Sequence, residues 1–136
     1  MKFTCTQENL NRGLNVVNHL ASKNTTLPIL NNVLLKAENG MLELSTTNLE
    51  VGVKCQVRGK IEKEGSFTVQ ARLLSDYINL LPKLPIDLEV KEQELLVDCE
   101  GYNTKMKGIS SEDFPLISAQ EAKGSIHLSI TEFKEA

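Results

Sequence analysis

Phe3-Thr4-Cys5-Thr6 and Phe67-Thr68-Val69-Gln70 each open a short β-like segment that runs directly into a helical pattern. Leu128-Ser129-Ile130-Thr131 opens a similar segment a third time, near the end of the 136 residues. Between the first two openings lies one β-α-β-β-β paragraph, and a second, shorter one follows. Self-similarity of this kind predicts units stacked into a longer array, because one such unit cannot bury its apolar face alone. For such an array the functional question is what it encloses or displays.

In the first unit, Leu10, Leu14, Val17 and Leu20 recur at helical spacing between Gln7 and Leu20, opposite Arg12, Asn15 and His19. Thr6 stands where an N-cap is needed. A polar loop over 21–26 follows, and Pro28 is expected to restart the chain in extended form. Val33–Ala37 reads as a strand, turned by Glu38-Asn39-Gly40 into Met41–Ser45; Asn-Gly between apolar runs is a strong hairpin signal. Beyond a turn at Thr46-Thr47-Asn48, alternation puts Leu49, Val51, Val53, Cys55 and Val57 on one face and Glu50, Lys54 and Gln56 on the other.

The second unit follows a charged turn over Gly59–Gly65. Ser66–Val69 reads as a strand. Arg72–Leu81 reads as a helix that buries Leu73, Leu74, Tyr77, Leu80 and Leu81 and is stopped by Pro82. Strands are expected over Ile86–Lys91, Glu94–Cys99 and Tyr102–Ile109. Leu84-Pro85-Ile86 echoes Leu27-Pro28-Ile29, but the first unit spends more residues before that step, as loops with a surface role do. Ser111–Lys123 reads as a linker anchored by Phe114-Pro115-Leu116-Ile117. Two helices against about eight short antiparallel strands predict a two-layer α+β domain. Duplication implies a pseudo-two-fold axis that sets the helices side by side, as a surface for a partner. The domain is placed at 1–120, and 121–136 is read as linker and the first strand of a next domain.

A hydrophobic share of 40% with 24% charged residues fits a soluble globular domain. No apolar run approaches the roughly 20 residues needed to span a bilayer, and Met1-Lys2-Phe3-Thr4 lacks a signal-peptide segment, so a cytoplasmic protein is expected. Cys5, Cys55 and Cys99 are scattered without C-x-x-C spacing and read as free thiols. His19 and His127 have no companion ligands and no Gly-rich phosphate loop is present, so neither metal nor cofactor is expected. At a net charge of −3 the chain lacks a nucleic-acid-attracting field; DNA would be met weakly, or on one restricted face.

Met1-Lys2-Phe3-Thr4, Thr26-Leu27-Pro28-Ile29-Leu30-Asn31-Asn32, Thr47-Asn48-Leu49-Glu50, Val69-Gln70-Ala71-Arg72 and Asp113-Phe114-Pro115 fall in the order and near the spacing of one family. Together they resemble the bacterial sliding clamp, the beta subunit of DNA polymerase III, over essentially the whole chain. The resemblance implies a DNA clamp fold of two β-α-β-β-β repeats, three such domains per chain, and two chains closed head to tail into a homodimeric ring. Helices would line the hole around duplex DNA, and the ring would tether the replicative polymerase without catalysing a reaction. It implies DNA contacts at Lys23 and Asn24 in the loop after the first helix, with Asn24 at the aligned position and Lys23 supplying the charge. A further contact falls at Arg72, with Arg12 and Lys83 as additions on the helix layer. It also implies that the strand Tyr102–Gly108 pairs with the other subunit through Thr104, Lys105 and Met106. Polymerase and clamp loader would dock on later domains.

Two readings from other classes stand beside it. A self-contained adaptor of the same fold would bind a protein and ignore DNA. A small cysteine hydrolase would need one thiol far more reactive than the others.

Overall fold

The computed structural model describes residues 1–21, 26–118 and 123–136. The first unit runs β1 (Lys2–Thr6), α1 (Gln7–Val17), a 3₁₀ turn (Pro28–Asn31), β2 (Asn32–Glu38), β3 (Met41–Thr47) and β4 (Gly52–Arg58). A short β5 (Lys60–Lys63) intervenes. The second unit runs β6 (Gly65–Gln70), α2 (Ala71–Leu80), β7 (Pro85–Lys91), β8 (Glu94–Cys99) and β9 (Tyr102–Ile109). A 3₁₀ turn (Ser111–Asp113) and α3 (Ile130–Glu135) follow.

Among the described residues nine strands form one antiparallel sheet in the order β4-β3-β2-β6-β9-β8-β7-β1-β5. Each unit lends its first strand to the other: β1 pairs with β7, and β6 pairs with β2. The two units are therefore one domain and share one core. Phe3, Leu10, Leu14, Leu35, Leu44, Leu74, Ile78, Leu88 and Leu95 are all buried to completion in it, between the helix pair and the sheet.

The duplication is visible in matched contacts. A Cβ on Gly59 would collide with the Thr4 carbonyl oxygen and the Phe3 ring, and one on Gly108 with the Thr68 carbonyl oxygen and the Phe67 ring. Each unit's last stretch thus crosses its own first strand at a glycine, where only a hydrogen fits. After Gly59 the chain continues as β5 against β1; around Gly108, β9 itself pairs with β6.

Thr6 caps α1 as expected, its hydroxyl accepting from the Asn9 amide at 3.3 Å. Several expectations are corrected. α1 stops at Val17 rather than Leu20, and the Thr46 hydroxyl donates to the Val17 carbonyl at 2.7 Å. Pro28 begins a 3₁₀ turn, with the Leu30 amide donating to the Leu27 carbonyl, whereas its echo Pro85 does begin a strand. β4 starts at Gly52 because Asn48 Oδ1 accepts from the amides of Glu50 and Val51, which curls that stretch into a turn. Leu49 and Val51 are consequently exposed. The charged turn contains a strand, β5.

α2 buries Ala71, Leu74, Ser75 and Ile78, while Leu73 and Leu80 are 51% and 83% exposed. Residues 128–131 are not a strand. Ser129 caps α3 in a capping box with Glu132, and residues 123–129 pair with no strand among the described residues.

Candidate nucleic-acid interface

α1 and α2 lie side by side on one face of the sheet, joined by side-chain amides. Buried Gln7 donates to the Ile78 carbonyl at 2.8 Å, which also accepts from the Leu81 amide at 3.3 Å where α2 ends. The Gln7 backbone amide donates to the Leu84 carbonyl at 3.1 Å. Asn11 Nδ2 reaches Asn79 Oδ1 at 3.5 Å, and the buried Asn11 Oδ1 has no hydrogen-bond partner among the described residues. Above these contacts runs an open groove of about 810 Å³, lined by Asn11, Arg12, Asn15, His19, Asn79 and Lys83 among others.

The electrostatics of this layer are nearly balanced. Exposed Arg12, Arg72 and Lys83 face exposed Glu8 and Asp76. Lys83 pairs with Glu8 at 3.0 Å, and Arg72 lies 3.9 Å from Asp76. Pairs this exposed are worth little, so water or phosphate exchanges with the carboxylate at small cost. Arg12 makes no ion pair among the described residues. The structure therefore brings Arg12 and Lys83 to the groove and sets Arg72 on the exposed side of α2. Lys23 and Asn24 lie outside the described residues. Gln7, Asn11 and Asn79, which the charge pattern did not single out, hold the two helices together. The density of amides on α1 was the signal that could have found them.

β9 offers a second surface. It pairs with β8 along its length but with β6 only at Gly108 and Ile109. Cys99 and Tyr102 flank a two-residue turn, so alternation aims the backbone groups of Asn103, Lys105 and Lys107 away from β8. Among the described residues 102–107 have no strand on that side. Thr104 is half-buried and Lys105 exposed, but the Met106 side chain is 5% exposed and belongs to the core. The Met106 backbone groups face Leu95 of β8, so at that position neither side chain nor backbone is offered to the open edge.

The two buried thiols, Cys5 and Cys99, do not resemble a nucleophile. Burial, and secondarily Asp87, pushes the Cys5 thiol up to about 12. Burial also raises Cys99. A reactive cysteine needs the opposite shift.

A duplicated α+β domain with paired helices on one face and an open strand edge on its flank is a clamp-type domain. The family model for the DNA polymerase III beta subunit, N-terminal domain, matches residues 1–118, and the chain belongs to that family. It is 37% identical over 136 residues to the beta sliding clamp of Pseudomonas aeruginosa, covering 98% of this chain and 36% of that one. It is 34% identical over 138 residues to that of Buchnera aphidicola, covering 99% and 37%. The DNA polymerase III beta sliding clamp of Bartonella birtlesii superposes with a TM-score of 0.92 at 30% identity, over 98% of this chain and 36% of that chain. The chain thus spans little more than a third of the length of these relatives.

Proposed function

We propose that this chain is the first domain of a DNA sliding clamp. In the assembled ring, α1 and α2 face the duplex and the sheet forms the outer wall. The observation that carries this reading is the near-balanced, amide-rich helix layer on a chain of this family. A ring holds DNA by topology, so weak and sequence-independent phosphate contacts suffice and permit sliding. Arg12, Arg72 and Lys83 supply such contacts, together with Lys23 and Asn24 in the loop after α1. The domain ends near residue 120, and 121–136 lead into the next domain.

The open edge of β9 takes a strand of the other subunit by backbone pairing. Lys105 offers its outward backbone groups to that contact, Thr104 stands beside it, and Met106, turned to the core and to β8, gives it neither side chain nor backbone. The role is non-catalytic and cytoplasmic, and polymerase and clamp loader dock on the later domains. The test uses the product of the whole reading frame, loaded onto nicked circular plasmid. Retention on the circle and loss on linearisation is the expected result. Equal retention on both, or none on either, sinks the reading; the second outcome favours the adaptor.

A further inference from the structure

On the flank of the helix layer α1 leans on β4, the outer strand. Gly13 permits the approach: a Cβ there would lie 2.6 Å from Val57 Cγ2 and 3.0 Å from Leu44 Cδ1. Between helix and strand remains a cavity of about 320 Å³, lined by Asn9, Arg12, Cys55, Gln56 and Arg58, with Gly13 and Val57 completing it. Among the described residues no carboxylate lines it. Neither Arg12 nor Arg58 makes an ion pair among the described residues. This differs from Lys83 and Arg72, each of which has a carboxylate beside it.

Two guanidinium groups that stay charged at any ordinary pH, with two side-chain amides, form a donor set suited to the oxygens of a phosphate. The volume is at the low end for ligand sites, which fits a phosphate group rather than a large organic molecule. The second unit builds the matching place differently. Counting from Phe3 and Phe67, Arg12 corresponds to Asp76 and Gly13 to Tyr77, so a carboxylate and a bulky ring replace the arginine and the gap.

We propose that the α1–β4 cavity is a phosphate-binding site held by Arg12 and Arg58. Its ligand is either a backbone phosphate of duplex DNA or a small free phosphate such as pyrophosphate. Only the DNA source rests on the clamp reading.

Cys55 supplies the probe, since it is half-buried at the cavity while Cys5 and Cys99 are buried. Alkylation of Cys55 by iodoacetate and by iodoacetamide is followed by mass spectrometry on the 136-residue chain. The reagents differ in charge, so their rate ratio cancels the thiolate fraction and reports the local field. The ratio is expected to fall about tenfold in R12Q/R58Q, by part of that in R58Q, and not at all in K83Q. Pyrophosphate or a short duplex should slow both reagents in the natural chain and neither in R12Q/R58Q. Protection by pyrophosphate assigns a free anion; protection by duplex alone assigns a backbone phosphate. An unchanged ratio, or no protection by either, overturns the site. Plasmid retention without protection removes the site and leaves the clamp; protection without retention does the reverse.

Discussion

The two halves of this domain repeat one plan with different side chains, and the differences fall where the halves face outward. Inside, Leu10 matches Leu74 and Leu14 matches Ile78, all fully buried. Outside, Glu8 and Arg12 on α1 match Arg72 and Asp76 on α2, so the charge order is reversed. Gly13 brings α1 onto β4, whereas Tyr77 stands at the same place on α2. The shared core fixes the architecture, and the outer positions remain free to distinguish one flank from the other.

The plan is broken most severely at the crossings. Gly59→Ala and Gly108→Ala each push a methyl into a backbone carbonyl, which cannot rotate aside as a side-chain tip can. Each should cost about 3 kcal/mol or more, read from the midpoint of urea unfolding. The costs should be similar. If one substitution were neutral, the halves would not share this crossing.

The helices allow a milder break. Leu10→Ala and Leu74→Ala should each cost about 3 kcal/mol, while Leu73→Ala and Leu80→Ala on the exposed side of α2 should cost under about 0.5 kcal/mol. A large loss at Leu73 would move the buried face of α2. This contrast also marks what the sequence made legible. α1 alternates apolar and polar faces, so its buried side could be read directly. α2 carries Leu on several sides, and the face that wins (Ala71, Leu74, Ser75, Ile78) contains two small residues that let it approach the sheet. Nothing local announces that choice. β5 and the Pro28 turn were equally hidden, since their partners, β1 and the Leu27 carbonyl, are matters of tertiary or turn geometry. Of the interface, Arg12, Arg72 and Lys83 were legible as charges. Arg58 was not, because its relation to Arg12 depends on Gly13 bringing two distant segments together.

One substitution would make the first half chemically like the second. Cys5 corresponds to Val69, and both are buried. Burial raises the Cys5 thiol to about 12 in the folded chain, against about 8.5 unfolded. The folded state therefore favours the protonated thiol. Its contribution is complete below the unfolded value and declines as pH rises toward the folded one, by about 1.4 kcal/mol per pH unit. Cys99, also raised by burial, acts with the same sign. Cys5→Val should flatten the alkaline limb of stability measured from pH 8 to pH 10 and leave neutral stability little changed. An identical limb in the variant would remove Cys5 from the account.

The smallest expected effect lies in the matched hairpins. β2 turns into β3 through Asn39 and Gly40, with φ of 50° and 78°. β7 turns into β8 through Glu92 and Gln93, with φ of 47° and 66°. Both turns need positive φ at both central residues, as type I′ hairpins do. The first half uses the residues that adopt it most readily; the second uses two side chains that resist it. Replacing Glu92-Gln93 by Asn-Gly should therefore stabilise the domain by about 1 kcal/mol, relieving left-handed strain at both positions and offset in part by the greater freedom of glycine when unfolded. The reverse change, Asn39-Gly40 to Glu-Gln, should destabilise by a similar amount. A gain in the first experiment without a loss in the second would mean that the β2–β3 turn is held by its surroundings, among them Glu64, whose carboxylate accepts from the Asn39 amide at 3.4 Å. Adding Glu64→Ala, which removes that acceptor, to the Glu-Gln turn would then expose the loss.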